Sequence, residues 1–361
     1  PFLRRMNMFL PMLLLLAARI QPVDVAVPYR QPQLAAGQGK VAMVFGGGGA
    51  IYYAGSADRG ATFGAPVKVA EVGALALGRH RGPRLAILQN LLVISAIVGE
   101  QKATGPHAHG LPEAGNLVVW RSTDRGASWK RAGVINDVPG AAREGLHAMV
   151  TAPDGSLFAT WLDLREKGTK LYGARSTDGG VSWTKNELVY ESPDGTICQC
   201  CHPSVSIDEA GRTYVMWRNA LGGSRDLYLT SSADGKQFTA AKKLGTGTWK
   251  LNACPMDGGA LAVHRGKVIS AWRRDGDVYL TEGDGPEKKV GTGKDVALAV
   301  SKKGTYVAWT QEAAVQVLTP KASVPTLLGA GGAFVNLLAM PDGGVLAAWE
   351  ANGAIETKRL D

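Results

Sequence analysis

Short apolar runs, most of them ending in an aromatic residue, recur along the chain. They are Val41-Ala-Met-Val-Phe45, Leu92-Val-Ile-Ser-Ala96, Leu157-Phe-Ala-Thr-Trp161, Thr213-Tyr-Val-Met-Trp217, Val268-Ile-Ser-Ala-Trp272, Thr305-Tyr-Val-Ala-Trp309 and Val345-Leu-Ala-Ala-Trp349. Runs of this length, rich in β-branched and aromatic residues and bounded by turn formers, predict strands. Most follow another strand and a turn, as Ser204-Val-Ser-Ile207 and Asp208-Glu-Ala-Gly211 precede Thr213. Most are followed by a further strand, such as Asp226-Leu-Tyr-Leu-Thr230 or Asp277-Val-Tyr-Leu-Thr281. The runs start at 41, 92, 157, 213, 268, 305 and 345. Spacings of roughly 40 to 65 residues with four strands per unit predict an all-β fold, a β-propeller with seven four-stranded blades. The last unit shows three obvious strands, ending at Ile355-Glu-Thr-Lys358, and Val23-Asp-Val-Ala-Val27 is expected to supply its fourth. No long segment repeats at 3.6 residues, which argues against helical and doubly wound folds.

A second repeat overlies the first. Ser56-Ala-Asp-Arg-Gly-Ala-Thr-Phe63, Ser122-Thr-Asp-Arg-Gly-Ala-Ser-Trp129, Ser176-Thr-Asp-Gly-Gly-Val-Ser-Trp183 and the shorter Ser232-Ala-Asp-Gly-Lys-Gln-Phe238 share the pattern Ser-x-Asp-x-Gly-x-x-Trp/Phe. The Asp side chain can accept backbone N–H groups one or two residues on, the Gly supplies a positive φ, and the aromatic plugs the loop. The phrase resembles the Asp box, or BNR repeat, of the sialidase superfamily. That resemblance implies a hairpin between the third and fourth strands of a blade, and a scaffold role. It also makes six blades, as in sialidases, the alternative count.

The 361 residues are 45% hydrophobic and 20% charged, with 47 Gly and 18 Pro, a composition suited to a large turn-rich core. Arg4 and Arg5 precede the apolar run Met8–Ala18, too short to span a bilayer but suited to a signal peptide over 1–18. Residues 19–361 then form a single domain, expected to be exported to a bacterial periplasm or secreted, without a transmembrane anchor after cleavage and as a monomer. The net charge of +9 is dispersed. With no basic run interleaved with aromatics, it points away from nucleic acid and mildly toward anionic ligands.

Propeller strands alternate direction, so loops leading into first strands share a face with loops joining second and third strands. The first group holds His80-Arg-Gly-Pro-Arg84, Arg143-Glu-Gly-Leu-His147, Cys198-Gln-Cys-Cys-His-Pro203 and Cys254-Pro-Met-Asp257. The second adds Asp163, Arg165, Arg218, Asn219, Arg225, Asp226, Arg273, Arg274 and Asp275, and a long loop carrying His107 and His109. Arginine clusters grip carboxylates in bidentate geometry. Arg84, Arg143, Arg165, Arg218, Arg225 and Asp257 are therefore candidate substrate-binding residues. The sialidase resemblance implies an Arg triad, an acid and a Tyr/Glu nucleophilic pair, with Asp163 as acid, Glu144 as base and Tyr190 as nucleophile. The Phe-Arg-Ile-Pro motif of that family is missing; Gly82-Pro-Arg84 is the nearest approach. The stretches Arg81–Arg84, Cys198–Cys201, Trp217–Asn219, Arg225-Asp226 and Cys254–Gly259 resemble a bacterial exo-α-sialidase-like branch. The expected function is binding of an anionic carbohydrate or small molecule, with hydrolysis as the enzymatic form. A non-catalytic propeller that holds a metal or binds a protein is the alternative.

The chain has 4 cysteines, Cys198, Cys200, Cys201 and Cys254, on neighbouring blades. In an oxidising compartment disulfides are the default. The same residues with His202 and Met256 also form a soft ligand set for copper or zinc. Cys198-Gln-Cys-Cys201-His202 contains the C-x-x-C-H pattern of c-type haem attachment, but a narrow propeller mouth leaves little room for a porphyrin.

Overall fold

The computed structural model describes residues 18–105, 108 and 110–360. Residues 1–17 of the expected signal segment over 1–18, His107 and His109 lie outside them. Seven sheets of antiparallel strands form the molecule; five pair their strands in chain order, the second blade gains an extra short strand and the seventh is closed by a strand from early in the chain. The first blade runs through Tyr29–Gly37, Lys40–Gly47, Ala50–Ser56 and Val67–Glu71. The second comprises Arg84–Ile87, Leu92–Gly99, Asn116–Ser122 and Lys130–Val134, and Ala74–Leu75 also pairs with its second strand. Blades three to six begin at His147–Thr151, Ser204–Ile207, Ala260–His264 and Lys294–Ser301. The inner strands contact one another in sequence, and that of the seventh blade, Gly332–Ala339, contacts that of the first. The ring is closed, and the count of seven blades holds.

The recurring runs are the second strands. Their aromatic ends Phe45, Trp161, Trp217, Trp272, Trp309 and Trp349 are all buried. Several lie against glycines of the preceding blade's outer edge, as Trp309 does on Gly291 and Trp349 on Gly329. A Cβ on Gly291 would sit 2.2 Å from Trp309 Cζ2, so the bare glycine is what lets the indole seat. Burial of such a side chain contributes about 1.5–3 kcal/mol; repeated around the ring, it locks each blade to its neighbour.

The Asp boxes join third to fourth strands on the face away from the loops considered above. In the second blade Asp124 accepts from Ser128 N and Oγ, while Ser122 Oγ accepts from Gly126 N at 2.8 Å. The loop therefore closes over four residues rather than one or two. Gly126 (φ 91°) rests on Tyr53 of the preceding blade.

The closing strand differs from the expected one. Ala18–Ile20 pairs antiparallel with Ala354–Leu360, Ile20 opposite Ile355. Val23 and Val25 are 83% and 90% exposed. Asp24 accepts from Ala26 N and so bends that segment into a turn before Pro28. Ile20 is 6% exposed and joins the core with Ile355, which is why the earlier residues win the edge.

Candidate functional site

Three inner strands carry a bulge at one end, between Arg30 and Gln33, Lys294 and Ala297, and Ala333 and Asn336. Within them Gln31, Asp295 and Phe334 adopt left-handed backbone, which non-glycine residues rarely do. Arg79 (φ 54°) and His80 (φ 67°) do so consecutively just before the second blade. That twist divides one loop between two cavities. His80 and Arg84 line a channel of about 220 Å³ along the axis, with Gln31, His202 and Asn336. Arg79 and Arg81 line a larger hollow of about 580 Å³, with Glu113, Arg143, Glu144 and Cys200.

In the channel, the His80 ring stacks on His202 at 4.2 Å, and His80 Nε2 meets Asp295 Oδ1 at 3.0 Å. Arg84 donates to the carbonyls of His80, Gly82 and Pro83 in its own loop. Burial lowers its guanidinium to about 10. It belongs to the channel, not to the hollow that holds Glu144, Cys200 and Cys254.

In the hollow, Arg81 is 4% exposed and donates from Nε to Glu144 O at 2.7 Å. Burial pulls its pKa down, opposed by the Glu144 carboxylate. Burial likewise raises Glu144, with Arg81 and Arg143 pulling the other way. Among the described residues, Arg79, Arg81 and Arg143 form no ion pair.

Several residues expected here are engaged elsewhere. Asp163 is buried, with Oδ1 accepting from Arg165 N and Nε and Oδ2 from Trp161 Nε1 and Arg165 Nη2. Arg165 also pairs with Asp137 and lies over Tyr172. Tyr190 stacks on Trp217 at 4.4 Å, and its hydroxyl accepts from Asn219 Nδ2. Arg218 is 1% exposed and donates to the carbonyls of Asp257, Arg225 and Arg273. Arg225 Nη1 bonds Ser224 O. Asp257 accepts from Gly259 N and Asp295 N. These groups join loops and blades together and present no acid–nucleophile pair to the hollow. Arg79, Arg81 and Glu113 are the residues that the sequence reading did not single out; Arg81 lay within its quoted motif.

The cysteines converge. A tight turn, Cys201 N to Cys198 O, brings Cys198 Sγ within 3.3 Å of Cys201 Sγ and 3.6 Å of Cys200 Sγ. No disulfide joins the four cysteines in this structure; three are buried and Cys254 is exposed. Hydrogen bonding to Cys200 and burial push the Cys198 thiol up to about 12. Met256 packs against the three. His202 is separate: Nε2 meets Gly259 O and Nδ1 accepts from Gly258 N, so neither nitrogen is open to a metal or haem iron.

Residues 91–313 match the BNR repeat-like domain. The chain belongs to the BNR repeat family. No curated protein matches the chain. Among solved structures it is similar to the α-L-arabinanase of Penicillium chrysogenum complexed with arabinobiose, with TM-score 0.59 and 13% identity, covering 96% of this chain and 97% of that one. The GH93 α-L-arabinofuranosidase of Fusarium graminearum with arabinobiose gives TM-score 0.56 and 12% identity over 95% and 97% of the two chains. The K499G mutant of NanB sialidase from Streptococcus pneumoniae gives TM-score 0.56 and 10% identity over 95% of this chain and 70% of that chain. At these identities the likeness concerns the fold, and the BNR propeller's chemistry rests on its own residues.

Proposed function

We propose that this BNR propeller binds an anionic carbohydrate in the hollow lined by Arg79, Arg81, Arg143 and Glu144. The supporting observation is the Arg81 guanidinium, buried at the wall of the hollow and in no ion pair among the described residues, with the Glu144 carboxylate acting on it only through space. A sugar carboxylate accepting from its Nη groups would add the direct ion pair. Similar propellers crystallised with arabinobiose make a saccharide a reasonable occupant of such a face. Hydrolysis is the further step of the proposal. Glu144, raised by burial, would donate a proton to the leaving oxygen, and Glu113 shares the hollow as a second carboxylate.

Calorimetric titration with sialyllactose, oligogalacturonate and a neutral arabino-oligosaccharide tests the reading. The charged ligands should bind, and Arg81→Ala should weaken them by roughly 10-fold or more, the loss of a charge-assisted pair. Equal affinity for the neutral sugar, or an unaffected Arg81→Ala variant, would refute it. If the protein cleaves its ligand, Glu144→Gln should stop release of reducing ends while binding persists.

A further inference from the structure

We propose that Cys198, Cys200 and Cys201 form a copper(I) centre in the wall of the hollow, with Cys254 and Met256 as the soft groups at its mouth. Three buried sulfurs point at one another, separated by 3.3, 3.6 and 4.0 Å. An ion bonded to sulfur at about 2.3 Å holds its ligands ~3.8 Å apart in tetrahedral geometry and ~4.0 Å apart in trigonal geometry. The observed triangle needs only small rotamer adjustments to match. Bridging two of these sulfurs as a disulfide would demand closure to about 2.05 Å, far from the present triangle. All three ligand atoms fall within 4.8 Å of one another and are buried.

The donor set and its charge select the metal. Thiolate and thioether sulfur suit copper(I), zinc and iron–sulfur clusters, but structural zinc takes four ligands, and the buried group here supplies three. Here His202 is committed to backbone groups, and no carboxylate joins the triad. The charge of Arg81 reaches Cys200 and Cys201, and that of Arg218 reaches Cys198 and Cys201. Three thiolates and one monovalent ion carry a net double negative charge, which these two guanidiniums balance. A buried charge is tolerated only when balanced in this way. Binding breaks three S–H bonds, forms three copper–sulfur bonds and releases three protons to solvent, with no change of oxidation state. Cys254 is exposed and lines the hollow beside Cys200 and Met256, so an arriving ion meets soft ligands before it reaches the triad. The inference shares Arg81 with the carbohydrate reading but rests on the sulfur triangle, and a titration without saccharide tests it alone.

The test is anaerobic titration of the reduced, metal-free full chain with copper(I) in competition with bicinchoninate, followed by X-ray absorption at the copper edge. One copper per chain, three sulfur neighbours at about 2.3 Å and retention against excess zinc are expected. Cys201→Ser should weaken binding by about 100-fold or more, as loss of one ligand does. Because that variant can unfold, Met256→Leu and Cys254→Ser accompany it; both should keep the stoichiometry and slow copper uptake from the chelator. Failure to withdraw copper from bicinchoninate, displacement by zinc, or a shell of fewer than three sulfurs would overturn the assignment.

Discussion

Arg218 separates a structural guanidinium from a ligand-binding one. Its three donor groups serve the carbonyls of Asp257, Arg225 and Arg273, from two blades and the loops that join them. Arg218→Met keeps most of the aliphatic volume and removes all three bonds. Each buried carbonyl left without a donor costs about 1–3 kcal/mol, so the gross loss for three is roughly 3–9 kcal/mol. Relief from burying a charge offsets part of this, as in buried ion pairs exchanged for apolar residues. The expected net destabilisation is about 3 kcal/mol, read as a shift of the urea midpoint at constant slope. The measurement is made on reduced, metal-free protein. Arg218→Lys should recover little, because a single ammonium cannot span the three acceptors. A midpoint within about 0.5 kcal/mol of wild type, the size of an ordinary surface substitution, would show that the carbonyls do not depend on Arg218. Coupled with lost ligand affinity, that result would return the residue to the binding site.

Other perturbations read other parts of the ring. Burial holds His147 neutral, well below its ordinary pKa of 6.5. Below that pH the unfolded chain takes up a proton that the native state refuses. Stability should then fall by about 1.4 kcal/mol per pH unit on this account, and His147→Asn should flatten the slope of a pH series of thermal melts. Gly291→Ala should destabilise by about 1–3 kcal/mol through the collision with Trp309, and no shift in midpoint would dismiss the interlock between blades. Asp124 is held down to about 2 by Ser128 and Ser122. Its contribution is present above the ordinary carboxylate pKa and disappears as pH falls toward 2. Asp124→Asn should therefore melt earlier at pH 7 and converge with wild type in acid; a constant gap would contradict the box geometry.

The ring was legible because its defining element is repetitive. A buried aromatic at the end of six of the seven second-strand runs leaves the same signature in blade after blade. Ring closure was not legible, since Val23–Val27 alternates like a strand yet is turned outward by Asp24, while three residues at 18–20 are too few to show a period. The sorting of loops by face brought Glu144, Cys200 and Cys254 together correctly. The direction of side chains within a loop escaped it. Two successive left-handed residues, Arg79 and His80, send Arg84 to the axis and Arg81 to the hollow, and no residue pattern announces such a conformation. Asp163 was misread for a related reason: an acid two residues before an arginine can fold back onto it, and here it does.

The pairing of Ala18–Ile20 with Ala354–Leu360 makes two segments far apart in the sequence mutually dependent. A ribosome delivers the first before every other described blade strand and the second after them, so the final sheet waits, incomplete, while the strands between are made. Joining segments so distant in sequence costs roughly 5 kcal/mol in loop entropy. Contact between the first and last inner strands meets most of that before the latch engages. Hydrogen–deuterium exchange should therefore find the amides of residues 18–20 opening more readily than those of the central strands, and Ile20→Asp or Ile355→Asp should loosen the same seam.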